Sequence, residues 1–306
     1  MAQVISGEFG PSDASVEMAD TIALTLQKTH SVAALNLSPK PADVGGNLLL
    51  AERAIVEAKL AHPDLGWVVL PELFTSGYSD LAAIHRYAED AEHGASVGFF
   101  SSLASSLGLY IAYGFPERVP GTVGAAGAAG VCDSANLVGP DGVVLTYRKR
   151  HLVRTNGEHL IFVPGTELPV VEADGVRTAF AICWDLGFPE VAREAALAGA
   201  ELILAPAAWR EPWGPQYELS CAARALDNAV YLASANQLGI YPEARFGCPG
   251  HVYGPDGLRV SLSTGAKSIC DLDPTAPARW GGLYGNTFLD DFEATAVDEE
   301  LREACS

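Results

Sequence analysis

The sequence has little positive charge. Only 19 Lys and Arg residues stand against 38 Asp and Glu residues, and the formal net charge of the 306-residue chain is -19. An acidic surface repels the phosphate backbone of nucleic acids. We therefore expect no nucleic-acid partner.

Long apolar runs and targeting signals are also missing. No apolar run approaches the roughly 18 residues that a membrane-spanning helix needs. The first basic residue is Lys28, so the basic start of a secretory signal is not seen. We therefore expect no membrane partner and a cytoplasmic location.

Several motifs of catalytic and metal sites are absent. None of the six cysteines forms a CxxC pair, and their spacing fits no zinc pattern. In a chain of this size without a secretory signal, this usage predicts free thiols in a reducing compartment. The GxSxG and HExxH motifs are absent as well, which disfavours a serine hydrolase or a zinc protease.

What the sequence does contain is a hydrophobic fraction of 49%, enough for a large core. HSVAALNL (30–37) and GWVVL (66–70) read as buried strands, and the helical pattern NLLLAERAIVEAKLA (47–61) lies between them. This order predicts a parallel crossover unit.

Strands and helices keep alternating up to about residue 236, and no linker divides the chain. We expect one α/β domain at 30–275, an N-terminal arm at 1–29 and a C-terminal tail at 276–306. Within the domain, two turns predict hairpins (GPDG at 139–142 and PDG at 255–257), and VPGTVGAAGAAG (119–130) predicts a flexible loop.

Three chemically useful side chains follow predicted strands. Glu72 follows GWVVLP, Lys149 ends VVLTYRK and Cys183 follows RTAFAI. Strand ends are where open α/β sheets place their sites. Singly, each has an ordinary explanation: Glu72 could be a carboxylate in a turn, Lys149 a surface lysine and Cys183 a buried sulfur.

Together, the three residues suit acyl transfer through a thioester. A thiol attacks as the thiolate, so it needs a base, and Glu72 could take the proton of Cys183. Lys149 and the backbone N–H of Trp184 could stabilise the negative oxygen of a tetrahedral intermediate. A pairing of the cysteine with a histidine, such as His151 or His159, stays open at this point.

The same residues lie in motifs that resemble a known family. PELFTSGY (71–78), YRKRHL (147–152) and ICWDLGFPE (182–190) resemble, in order, the three catalytic blocks of the nitrilase superfamily of carbon–nitrogen hydrolases. GEHLIFVPG (157–165) resembles the block that carries the family's second glutamate, here Glu158. The likeness extends over roughly three quarters of the chain, from about Ser31 to Gly257.

The resemblance implies a four-layer αββα sandwich with two mixed β-sheets between helix layers. It implies Cys183 as the nucleophile, Glu72 as general base and acid, and Lys149 as the cation that stabilises the oxyanion. Glu158 would orient the lysine or the substrate amide. It also implies no metal or organic cofactor, and a homodimer or a higher homo-oligomer. From the aromatic residues of the C-terminal tail, we expect the tail to contribute to the interface.

The loop after the cysteine guides the choice of substrate. FPE resembles the amidase branches, but Leu186 and Gly187 stand where many of these carry an arginine for an acidic substrate. We therefore expect an amidase for small neutral aliphatic amides, with Tyr78 and Trp209 as possible pocket residues. The alternatives are a nitrilase, an N-carbamoyl amidohydrolase and, from another class, a non-catalytic binding scaffold.

Overall fold

The computed structural model describes residues 30–78, 81–123, 129–242 and 244–283. Five α-helices lie within these ranges: α1 (Val44–Ala61), α2 (Ala95–Leu107), α3 (Pro189–Leu197), α4 (Gly214–Leu226) and α5 (Ala276–Leu283). The strands are β1 (His30–Leu35), β2 (Leu65–Val69), β3 (Tyr110–Val123), β4 (Ala129–Gly139), β5 (Gly142–Arg148), β6 (Val171–Ala173), β7 (Val176–Phe180), β8 (Leu202–Ala207), β9 (Tyr231–Asn236), β10 (Gly239–Ile240), β11 (Arg245–Phe246), β12 (Val252–Tyr253), β13 (Leu262–Thr264) and β14 (Lys267–Leu272).

The strands form two mixed sheets and a short ribbon of β10 and β11. The larger sheet has seven strands in the order β13-β14-β1-β2-β3-β4-β5, and the smaller has five in the order β12-β9-β8-β7-β6. In both sheets the middle strands are parallel, as crossover connections require, and antiparallel strands lie outside them. The predicted fold class is confirmed.

Alternation along β1 shows how the layers pack. Ala33 and Leu35 lie in a core cluster with the apolar faces of α1 and α2. Val32 and Ala34 point the other way, into a second cluster shared with the smaller sheet and with α3 and α4. Because side chains of a strand alternate between its two faces, one strand serves both interfaces. The order of layers is therefore helices, sheet, sheet, helices.

Two local predictions need correction, and one strand was not predicted. The predicted loop at 119–130 begins later, because β3 continues as a strand up to Val123. The PDG turn makes a single antiparallel bridge, Tyr253 to Arg259, and the chain then crosses to the larger sheet as β13. The sequence reading missed β14, which lies beside β1.

The predicted arm at 1–29, the Gly/Ala residues 124–128 and the tail from residue 284 onward lie outside the described residues. Among the helices that are described, none is long and apolar enough to cross a membrane. The five cysteines within the described ranges are free thiols (132, 183, 221, 248 and 270).

Candidate active site

Glu72 lies directly after β2, and a glycine of the neighbouring strand makes room for it. Its side chain is fully buried, and the next residue, Leu73, has a left-handed φ of 45°. A Cβ on Gly114 of β3 would lie 2.8 Å from the Glu72 Cα and 2.4 Å from the Leu73 nitrogen. Only glycine at position 114 therefore lets the chain carry the carboxylate across the end of β3.

Cys183 lies after β7 in the smaller sheet, at a tight turn. Its φ is 45°, a conformation that is uncommon for any residue with a Cβ. A short 3₁₀ segment, Cys183–Gly187, begins at this residue and α3 follows it. A strained backbone conformation persists only where the surrounding structure holds it in place, and such conformations concentrate at functional sites.

Asp185 holds this turn, a role that the sequence analysis did not predict. Its Oδ2 accepts hydrogen bonds from the Ile182 N–H at 3.0 Å and the Tyr147 hydroxyl at 2.8 Å. Its Oδ1 accepts from the His151 backbone N–H at 3.0 Å and lies 2.8 Å from the His151 Nδ1. Four contacts to one buried carboxylate fix the chain on both sides of the cysteine.

Lys149 follows β5 and lies among buried carboxylates. Its Nζ is 2.5 Å from Glu72 Oε1, 2.9 Å from Glu158 Oε2 and 3.4 Å from Asp133 Oδ2. All four side chains are buried. The structure thus brings the predicted Glu72, Lys149 and Glu158 together, and adds Asp133.

Asp133 escaped the sequence reading, although the hairpin contains a signal for it. The register of β4 and β5 pairs Ser134 with Arg148, and the Lys149 N–H donates to the Asp133 carbonyl at 2.8 Å. Residues that lie opposite each other in an antiparallel pair share a face of the sheet. The GPDG turn, together with one bulge, therefore places Asp133 beside Lys149.

Glu158 is oriented by several donors. Its Oε2 accepts from the Val153 N–H at 2.8 Å, and its Oε1 accepts from the Tyr78 hydroxyl. Burial raises the pKa of Tyr78, and the Glu158 charge raises it further, so the phenol keeps the proton that it donates. Tyr78, which the sequence analysis names as a possible pocket residue, thus contacts Glu158, and its ring packs against Phe246.

The charges around Lys149 and Cys183 favour opposite protonation states. Burial acts to lower the pKa of Lys149, but the neighbouring carboxylates, chiefly those of Glu72 and Glu158, outweigh it and raise the pKa well above its usual value. Burial raises the pKa of the Cys183 thiol, and the charge of Glu72 adds to this. At rest the cluster therefore pairs an ammonium group with a neutral thiol that needs a base before it can attack.

The three carboxylates could suit a cation by their spacing, since their oxygens lie within 4.8 Å of one another. The ammonium nitrogen of Lys149 takes that place in the structure, with hydrogen bonds to Glu72 and Glu158. A histidine partner for the thiol finds less support. His151 lies against Asp185 and stacks on Phe188 with ring centroids 3.8 Å apart.

Cys183 opens onto a cavity of about 560 Å³. Trp209, which the sequence analysis names as a possible pocket residue, lines this cavity and stacks on Tyr217 with ring centroids 5.4 Å apart. Trp184 lines it too, and its backbone N–H makes no hydrogen bond within the described residues. An unpaired N–H beside the nucleophile is a suitable donor to an oxyanion. The lining also includes four further aromatic and charged side chains: Phe188, Trp213, Arg154 and Arg210.

Comparison with known proteins gives consistent results. The family model described as carbon-nitrogen hydrolase matches residues 31–274. A "hydrolase in pqqF 5'region" of Pseudomonas protegens is 38% identical over 240 residues, which is 77% of this chain and 79% of that protein. A 2-oxoglutaramate amidase of Bacillus subtilis is 30% identical over 230 residues, covering 73% of this chain and 84% of the relative.

A solved structure is similar as well. It is a mutant of the amidase from Nesterenkonia sp. AN1 that shows covalent addition of the acetamide moiety of fluoroacetamide at the active site cysteine. The TM-score is 0.68 at 26% identity, over 85% of this chain and 97% of that one.

Proposed function

The chain belongs to the carbon–nitrogen hydrolase family, and we propose that it is an amidase that uses Cys183 to convert small neutral amides to carboxylic acid and ammonia. The observation that carries the proposal is the buried cluster of Glu72, Lys149 and Glu158 next to a strained cysteine that faces a cavity. The amidase relatives and the cysteine adduct in the Nesterenkonia amidase support it.

The reaction would begin with transfer of the thiol proton of Cys183 to Glu72 while the sulfur attacks the amide carbon. The oxygen of the tetrahedral intermediate would be stabilised by the Trp184 N–H and by the positive charge of Lys149. Glu72 would then give its proton to the leaving nitrogen, so that ammonia departs and a thioester remains. Water attacks the thioester, Glu72 takes the proton of the water, and the thiol is restored as the acid leaves.

The apolar lining of the cavity favours neutral acyl groups. Trp209 and Trp213 offer large flat surfaces next to Cys183, and such surfaces gain free energy by covering aliphatic chains. The test is release of ammonia from propionamide by the wild type and by Cys183→Ala. The matched control is Cys270→Ala, a free cysteine on β14. We expect hydrolysis to be lost only in Cys183→Ala, and hydrolysis by that variant at the wild-type rate would refute the proposal.

A second candidate is an amidase for amides that carry a distant carboxylate. Arg154 and Arg210 both line the cavity, and neither forms a salt bridge within the described residues. Unpaired guanidinium groups bind carboxylates well. These arginines come from loops other than the one in which the sequence lacks an arginine, and relatives named omega-amidase also match the chain.

The two candidates are separated by a pair of substrates with similar length, pentanamide and succinamate. A higher kcat/KM for pentanamide supports the neutral substrate. A higher kcat/KM for succinamate that is lost in the double variant Arg154→Gln/Arg210→Gln supports the carboxylate.

We also propose that the protein is a homodimer. The proposal rests on the family to which the chain belongs, because Trp280 of the predicted interface tail packs partly on its own domain, beside Tyr231 and Pro255 around a cleft of about 150 Å³. Light scattering at micromolar concentration tests the proposal, and a monomer mass would refute it.

A further inference from the structure

Asp133 belongs to the buried cluster, but neither the sequence analysis nor the proposed reaction gives it a role. It is 1% exposed, and neither of its side-chain oxygens accepts a hydrogen bond in the described residues. One oxygen of Glu72, Oε2, is also buried without a donor. A buried carboxylate oxygen without a donor is costly, and here two carboxyl groups share the defect.

The charges in this space do not balance if every carboxyl group is ionised. Glu72, Asp133 and Glu158 would supply three negative charges against one positive charge on Lys149. Unpaired charge in a buried site is unfavourable, and a group there takes up a proton instead. The cluster therefore needs at least one proton in addition to those on Lys149.

The hydrogen bonds indicate which carboxyl group carries that proton. Glu158 accepts from Tyr78, Val153 and Lys149, which is the pattern of an ionised carboxylate. Glu72 accepts the short contact from Lys149 at 2.5 Å. Asp133 is the most distant from the ammonium, at 3.4 Å.

We propose that Asp133 is a protonated positioning residue, which donates its carboxyl hydrogen to Oε2 of Glu72 and so holds the base as an oriented carboxylate. One proton then satisfies both groups that lack a partner. Each carboxylate oxygen has two lone pairs, so Glu72 keeps capacity for the thiol proton. Burial raises the pKa of Asp133 well above its usual value, and the charge and hydrogen bond of Glu72 raise it further, which agrees with this assignment.

The exchange Asp133→Asn would preserve the proposed donor, because an amide N–H₂ can replace the carboxyl hydrogen at nearly the same size. We therefore expect Asp133→Asn to keep kcat/KM within about threefold of the wild type. Asp133→Ala removes the donor and leaves Oε2 unpaired. We expect it to lower kcat/KM by at least about tenfold, the usual scale for a hydrogen bond to a charged group. The control is Asp141→Asn, the same exchange at the exposed turn of the same hairpin.

Two measurements do not depend on the proposed amidase activity. The infrared spectrum of the resting enzyme should contain the carbonyl stretch of a protonated, buried carboxyl group, and Asp133→Asn should lack it. The rate at which iodoacetamide modifies Cys183, followed by mass spectrometry, should depend on pH in the same way in Asp133→Asn and in the wild type. If Asp133 were ionised, the exchange would remove a negative charge near the thiol and shift this dependence to lower pH.

The proposal is overturned if Asp133→Asn loses as much activity as Asp133→Ala, if Asp133→Ala keeps wild-type activity, or if the infrared band survives in Asp133→Asn. The kinetic comparison rests on the proposed function. Should the wild type hydrolyse no amide, the infrared and alkylation results still decide the state of Asp133.

Discussion

The contacts of Asp185 predict a large effect of a small change, Asp185→Asn. Whichever way the new amide lies, its N–H₂ group replaces an oxygen that accepted two hydrogen bonds. One pair of donors is the Ile182 N–H and the Tyr147 hydroxyl, and the other is the His151 N–H and the His151 ring. The hydroxyl and the ring can reverse their roles, but a backbone N–H cannot. At least one backbone N–H, either the buried one of Ile182 or the partly buried one of His151, therefore loses its acceptor.

The magnitude follows from these contacts. An unsatisfied buried donor costs about 1–3 kcal/mol, and hydrogen bonds to a charged acceptor contribute about 1.5–3 kcal/mol each. We expect Asp185→Asn to lower the free energy of unfolding by about 2–4 kcal/mol. Because Asp185 fixes the turn that holds Cys183 at a φ of 45°, we also expect kcat/KM to fall about a hundredfold.

The assay is denaturant unfolding together with amide hydrolysis, for Asp185→Asn, Tyr147→Phe and the double variant. Tyr147→Phe removes one donor to the carboxylate and leaves the other three in place, so it should cost about 1.5–3 kcal/mol. Because the two groups are bonded, the double variant should lose less than the sum of the single variants. For Asp185→Asn, a free energy of unfolding within about 0.5 kcal/mol of the wild type, which is about the usual error of such measurements, together with a kcat/KM within about threefold, would refute the reasoning.

Three further predictions concern separate parts of the site. Gly114→Ala should lower both the free energy of unfolding and kcat/KM, because the added Cβ would meet Glu72. The control is Gly98→Ala, at an exposed position of α2 with no atom within 4 Å of the added Cβ, which should stabilise the protein by about 0.5–1 kcal/mol. Equal effects of the two variants in unfolding and rate assays would contradict this reasoning. The raised pKa of Cys183 predicts that alkylation is slow at neutral pH and that its rate rises only above the usual thiol pKa of 9.0. Because the folded thiol keeps a proton that the unfolded thiol loses above that pH, the free energy of unfolding should fall as the pH rises past it. Fast alkylation of Cys183 at neutral pH would contradict the raised pKa. Trp213→Ala should raise the KM for hexanamide and leave the KM for propionamide unchanged, because Trp213 lines the cavity that would hold the longer acyl chain. Equal changes in KM for the two amides would count against binding of the acyl chain in this cavity.

The principal residues of the site could be found from the sequence because they lie in short motifs at strand ends. Glu72, Lys149 and Cys183 each follow an apolar run, and that pattern is local. The sequence did not show that these strand ends belong to two different sheets, since Cys183 follows a strand of the smaller sheet and the others follow strands of the larger. Sheet membership depends on contacts between distant segments.

The residues that the sequence analysis missed are identified by contacts between different segments of the chain. Asp133 is recognisable only once the register of its hairpin, including a bulge, is known. Asp185 lies in a quoted motif, but its partners Tyr147 and His151 come from a segment more than thirty residues away. Likewise Arg210 comes from a different loop than Cys183. Such roles arise from packing, which periodicity and spacing do not encode.

The most direct test of the account is intact-protein mass spectrometry during turnover of propionamide, with ammonia measured in parallel. We predict an added acyl group on the wild type that maps to Cys183, together with release of ammonia, and neither in Cys183→Ala. Ammonia release by Cys183→Ala at the wild-type rate, or an acyl group that maps to another residue, would contradict the assignment of Cys183 as the nucleophile.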